Sequence, residues 1–143
     1  MNNNQTQHYD DNNIFAKILR KEIPCIKVFE DDLTLAFMDI MPQGDGHTLV
    51  IPKFPAIDLF ELPESLTGDY LSTIQLVAGA VKRGMQADGI KVFQFNGAAA
   101  GQTVFHLHFH ILPITSNKTQ AHANVTANSN DLEKFAEKIR AEL

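Results

Sequence analysis

The sequence has almost no cysteine, no basic excess and no long apolar run. Its one cysteine, Cys25, can form no intramolecular disulfide and anchors no cysteine-rich zinc pattern. Set in an apolar stretch, it reads as a plain buried thiol rather than a nucleophile. Net charge is −5 over 143 residues, with no basic block. A general nucleic-acid binder carries a basic face, so nucleic acid is not an expected partner. No apolar run approaches the ~20 residues that a membrane-spanning helix needs. The opening MNNNQTQHYDDNN lacks the apolar centre of a signal peptide. The expectation is a cytoplasmic protein with no membrane partner.

There is no internal repeat and no sign of a second domain. The length suits one compact domain, and a hydrophobic fraction of 44% is ordinary for a soluble fold. Residues 1–11 read as a flexible leader, because Asn-rich sequence offers nothing to bury. His8 within it reads as solvated. Asn12 or Asn13 is the expected N-cap of a short helix running to about Lys21, and Pro24 keeps it from continuing. Strands are expected over 25–30, 33–39, 47–51, 90–95 and 102–112, the last ended by Pro113. Residues 54–62 have room for a short helical turn.

Pro63 suits the first turn of a longer helix. Leu66, Tyr70, Ile74, Val77, Val81 and Met85 fall on one face of it. Gly79 and Gly84 weaken that helix. A C-terminal helix is expected at about 130–142, with Asn130 and Glu133 resembling a capping box. Its stripe of Leu132, Phe135, Ala136 and Ile139 has to pack on its own domain or on a partner. His122, in the polar segment before it, is assigned no role.

The informative segment is Thr103-Val104-Phe105-His106-Leu107-His108-Phe109-His110-Ile111-Leu112-Pro113. Alternate side chains of a strand share a face. His106, His108 and His110 therefore fall together, opposite Phe105, Leu107, Phe109 and Ile111. A half-exposed strand normally shows Thr, Lys or Glu to water, so three imidazoles there point to chemistry.

Two chemistries compete. Side chains two residues apart lie ~6.6 Å from each other on a strand, and His-x-His can chelate zinc. Asp39 and His47 could add ligands, but no Cys set or His/Glu cluster at metal spacing accompanies them. Alternatively, neutral imidazole is a nucleophile near pH 7 and needs no metal. A central histidine could attack phosphorus while its neighbours orient it and carry protons. The loop Asn96-Gly97-Ala98-Ala99-Ala100-Gly101 runs straight into the histidines. Gly97 and Gly101 allow tight turns and close approach to a ligand, and such a loop can offer N–H groups to a phosphate. Asn96, Gln102 and Thr103 add side-chain donors.

His106-Leu107-His108-Phe109-His110-Ile111-Leu112 resembles the His-φ-His-φ-His-φ-φ pattern of the histidine triad (HIT) family of nucleotidyl hydrolases and transferases, φ being apolar. The resemblance continues through Asn13–Pro24, Ala36–Ile40 with Pro42, and Gly46–Lys53. Those segments are similar to the Hint branch, the purine nucleoside phosphoramidases. It covers about residues 12–113.

The resemblance implies an α+β fold with a five-stranded antiparallel sheet, continued across a homodimer, in a single HIT domain over 12–143. It implies a metal-independent enzyme with no cofactor, acting on the α-phosphate of a purine nucleotide through a covalent nucleotidyl-histidine. His108 would be the nucleophile and His110 a donor to the α-phosphate oxygens. His106 would orient the nucleophile through its carbonyl, and His47 would be a fourth pocket histidine. Asn96, Gln102 and Thr103 would contact phosphate or leaving group, and Asp39 the ribose hydroxyls. Ile14, Phe15, Ile18, Phe37 and Ile40 would line the base slot, with core packing the competing reading. Thr103 stands where the Hint branch often has Ser, which keeps the hydroxyl. Rival activities are a dinucleoside polyphosphate hydrolase, a nucleotide-binding scaffold without turnover, and a zinc-binding module.

Overall fold

The computed structural model describes residues 7–116 and 126–143. Residues 1–6 of the stretch read as a leader, and His122, lie outside the described residues. Asn13 is the first cap: its side chain accepts the Ala16 N–H at 2.9 Å. Helix α1 (Ile14–Leu19) turns Phe15, Ala16 and Ile18 inward. It ends before Lys21, whose φ of 63° is left-handed.

Five strands follow the sequence pattern, four of them shorter than expected and the third shifted by one residue so that Pro52 lies within it. They are β1 (Lys27–Glu30), β2 (Thr34–Met38), β3 (Thr48–Pro52), β4 (Gly89–Phe93) and β5 (Phe109–Ile114). All neighbours are antiparallel, in the order β1-β2-β3-β5-β4. The α+β class and the five-stranded sheet are those expected.

Two strand boundaries differ for clear reasons. The segment 102–108 is not strand; regular pairing starts at Phe109. Its backbone leaves the ladder, and the Leu107 N–H donates to the Ala56 carbonyl at 2.8 Å instead. At the other end, Pro113 lies inside β5 rather than after it. It pairs with Ile90 of β4, while pairing with β3 has already ended at Ile111. On that uncovered side a missing N–H costs no ladder bond.

The faces of the sheet have different jobs. On one, Val28, Ala36, Met38, Val50 and Ile111 pack against helix α2 (Glu64–Gly84) and helix α3 (Ser129–Arg140). From α2 come Tyr70, Ile74, Val77 and Val81, on the expected apolar face. From α3 come Leu132, Ala136 and Ile139, so the C-terminal stripe packs within its own domain. The cap of α3 is Asn128, which accepts the Asn130 N–H at 2.8 Å; this corrects the capping box expected at Asn130. Gly84 proves to be a contact point rather than a weakness. A Cβ there would lie 2.6 Å from the Lys138 carbonyl oxygen, so only glycine lets α2 and α3 meet this closely. On the other face, Leu35, Phe37, Leu49 and Ile51 meet Phe15 and Ile18 of α1. That face opens into the site.

Candidate active site

The end of the β2–β3 hairpin sets the first two groups. Asp39 follows β2, His47 precedes β3, and the Asp39 N–H donates to the His47 carbonyl at 3.0 Å. β5 then brings in His110, whose cross-strand partners are Leu49 of β3 and Phe93 of β4. The Phe93 ring lies flat on His110, with centroids 4.5 Å apart and planes within 6°. His106 and His108 arrive on the irregular approach to β5 and are anchored by carbonyls rather than by a ladder.

A cavity of about 560 Å³ lies over these groups, a size suited to a small ligand. Ile14, Phe15, Ile18, Phe37 and Ile40 contribute apolar lining, and Asp39, His47, His108, His110 and Thr103 contribute polar groups. The Phe15 ring stands edge-on to His108 at 4.9 Å. Cys25, half-buried rather than fully buried, also lines the cavity. Burial pushes its thiol pKa up, which disfavours the reactive thiolate.

The hydrogen bonds assign the tautomers of His47, His106, His108 and His110. Burial drives the histidines toward the neutral form: His106 to a pKa of about 4, His110 to about 3, with His47 and His108 also lowered. A neutral imidazole has one N–H and one bare nitrogen. His108 Nδ1 lies 2.7 Å from the His106 carbonyl, which can only accept. The proton is therefore on Nδ1, and Nε2 is bare. Among the described residues nothing donates to that nitrogen.

The other pair comes out reversed. The Gln43 N–H donates to His47 Nδ1 at 3.0 Å, so His47 carries its proton on Nε2. That Nε2–H donates to His110 Nδ1 at 2.9 Å. His110 is then left with Nε2–H as the donor it can offer a ligand. Asp39 Oδ2 lies 3.6 Å from His47 Nε2, and Oδ1 accepts the Met41 N–H at 2.9 Å.

Asp39, His47 and His110 also place one potential metal-ligand atom each within 4.8 Å of one another. A carboxylate and two imidazoles suit zinc chemically. These three side chains are the ones that would hold such an ion.

Two expected ligand contacts lie elsewhere. Gln102 is buried and fully committed: it donates to the Ile57 and Val104 carbonyls and accepts the Gly97 N–H. Asn96 accepts the Leu59 N–H and pairs with Gln94. Neither lines the cavity. Both brace the glycine loop, in which Gly97 and Gly101 have φ of 91° and 102°. Sequence reasoning missed Phe93 and the Pro52 carbonyl, which accepts from His106 Nε2 at 2.7 Å. It also missed Tyr9, whose hydroxyl lies 2.5 Å from His106 Nδ1. The rhythm of β4 could have flagged Phe93; no local signal marks the other two.

Packing alone does not call for buried imidazoles with fixed tautomers around an apolar cavity. A site in which those imidazoles meet a ligand does. The HIT domain family model matches residues 20–117, and the chain belongs to that family, in its Hint-like branch. It is 35% identical over 130 residues to adenosine 5′-monophosphoramidase HNT1 of Saccharomyces cerevisiae, covering 91% of this chain and 79% of that protein. A crystal structure of a Hit-like protein involved in cell-cycle regulation from Bartonella henselae superposes with a TM-score of 0.89. It is 49% identical and covers 95% of this chain and 100% of that one. A Zn-bound histidine triad family protein from Mycobacterium smegmatis superposes at 0.80, with 32% identity and 92% of each chain covered.

Proposed function

We propose that this chain hydrolyses nucleoside 5′-phosphoramidates, and related α-substituted nucleoside monophosphates, through a nucleotidyl-histidine. The observation that carries the reading is the bare Nε2 of His108 at the cavity wall, with its Nδ1–H locked on the His106 carbonyl. In the first step the Nε2 lone pair forms a bond to the α-phosphorus. The P–N bond to the leaving amine breaks, and the amine departs with a proton taken from solvent. Water then attacks phosphorus, the His108 N–P bond breaks and returns its electron pair to Nε2, the water's proton goes to solvent, and a nucleoside monophosphate is released.

The other residues take roles that fit their groups. His110 Nε2–H stabilises the charge that grows on the phosphoryl oxygens. The Thr103 hydroxyl contacts phosphate. Asp39 retains acceptor capacity for ribose hydroxyls. The apolar lining from Phe15 and Phe37 takes a purine base, consistent with the name of the yeast relative. Asn96 and Gln102 act by holding the loop. A homodimer completes the reading. The outer edge of β4 has no partner within the described chain, and Val92, Leu71 and Leu76 are exposed beside it or on α2.

The test is hydrolysis of adenosine 5′-phosphoramidate by purified protein with a chelator present, beside His108→Ala. Chelator-resistant release of AMP that the variant loses supports the proposal. The cluster of Asp39, His47 and His110 favours one rival, a metal-dependent centre. Activity abolished by chelation and restored by zinc would replace the proposal with that rival.

A further inference from the structure

The segment just before α1 reaches the histidines from outside the cavity. The Asp10 carbonyl accepts both the Asn13 N–H at 3.1 Å and the Asn13 side-chain amide at 2.7 Å. Arg20 donates to the Asp11 carbonyl at 2.8 Å. The turn that caps α1, and so places Phe15, is thus the turn that holds Tyr9. From there the Tyr9 ring stands edge-on to His106, with centroids 5.6 Å apart. Its hydroxyl lies 2.5 Å from His106 Nδ1 across 97 residues of sequence.

The direction of that bond follows from the far side of the ring. His106 Nε2 faces the Pro52 carbonyl at 2.7 Å, and a carbonyl only accepts. Nε2 therefore carries the proton of this fully buried ring, Nδ1 is bare, and Tyr9 donates. Without the hydroxyl, Nδ1 would be a buried acceptor with no partner. Moving the proton to Nδ1 would relieve that, but would set the Nε2 lone pair against the Pro52 oxygen and release the ring. The backbone of the same residue supplies the carbonyl that grips His108 Nδ1–H.

We propose that Tyr9 is a positioning residue: its hydroxyl locks the tautomer and seat of His106, and through the His106 carbonyl it aims the bare nitrogen of His108. The proposal rests on His108 being the nucleophile. It gives the segment preceding α1 a part in the reaction although Tyr9 does not line the cavity.

The experiment is Tyr9→Phe, which keeps the ring and removes only the donor. It is read in two ways: steady-state hydrolysis of adenosine 5′-phosphoramidate, and imidazole ¹⁵N shifts of the histidine-labelled protein. The expected result is a fall in kcat of about tenfold, the worth of one buried hydrogen bond, with KM little changed. With it, the His106 signals move from a pure Nε2–H pattern toward a mixture of tautomers. Unchanged His106 shifts would overturn the proposal whatever the rate does, and so would an unchanged kcat. A lower kcat with unaltered tautomers would mean that Tyr9 acts only as packing. The NMR arm reads the Tyr9–His106 coupling directly, so its outcome is independent of which histidine attacks. Turnover retained by His108→Ala would instead remove the nucleophile reading itself.

Discussion

The two histidine pairs around the cavity are built by opposite means. His106 and His108 lie on irregular chain, and each donates to a backbone carbonyl, of Pro52 and His106 respectively. His47 precedes β3, His110 sits within the β3–β5 ladder, and the two bond ring to ring while Phe93 lies flat on His110. The first construction leaves a bare nitrogen at the cavity; the second leaves an N–H. Which nitrogen meets the ligand is therefore decided by what holds the far side of each ring. His108 and His110 look equivalent in the sequence, two residues apart in one motif, yet one presents a bare nitrogen and the other an N–H.

The largest effect should come from removing one member of each pair. Under the proposed mechanism His108→Ala eliminates the attacking atom and should lower kcat by roughly 10⁴-fold or more. His110→Ala removes one donor to the developing charge and should cost about 10²–10³-fold. Single-turnover release of AMP from adenosine 5′-phosphoramidate measures both. Equal losses would erase the division of labour between the pairs.

That division was only half legible in the sequence. The period-two histidines announced the site, and the family pattern ranked them. The reason they share a face is different, because residues 102–108 are not strand and His106 is seated by Pro52, from a distant part of the chain. Strand and helix existence followed from periodicity, while boundaries failed where tertiary context decides. Pro113 is tolerated because β3 has ended beside it, and Gly84 is a point where two helices touch. Asn96 and Gln102 are the types that bind phosphates, but the same amides also close loops: the Ile57 and Val104 carbonyls take the Gln102 N–H groups, and the Asn96 oxygen accepts the Leu59 N–H. Tyr9 was hidden because a polar leader shows no period and its partner lies 97 residues away.

A smaller effect should come from cutting the bond inside the second pair. In His47→Ala, His110 Nδ1 loses its donor and can carry the proton itself. The fraction of molecules in that form presents a bare nitrogen to the phosphate instead of an N–H. The expected loss is about tenfold in kcat, since Phe93 still holds the ring plane and only one hydrogen bond is missing. The His110 ¹⁵N shifts should show both tautomers. A variant with wild-type rate and a single His110 tautomer would mean that Phe93 and the ladder orient the ring without His47.

The pH dependence of stability tests what the two pairs share, which is burial in the neutral form. His106 and His110 start from an ordinary value of 6.5 and are lowered to about 4 and about 3 by burial. As acid is added, the unfolded chain takes up these protons near pH 6.5, while the folded chain refuses them until far lower. Wherever the unfolded state binds more protons, stability falls as pH falls. The protein should thus have its full histidine contribution above pH 6.5 and lose it progressively from there. The decline should level for His106 near pH 4 and for His110 near pH 3. The exposed carboxylates Glu22 and Glu30 have lowered pKa values, held down by Arg20 and by Lys53 with Lys27. Their contribution is lost only below the ordinary 4.5, so the decline between pH 6.5 and 4.5 belongs to the imidazoles. Denaturant midpoints across that window should fall steadily, with a shallower slope in His110→Asn. A flat profile in the parent protein would mean that the rings are already charged or solvated when folded. The bare nitrogen of one pair and the N–H of the other would then lose their common basis.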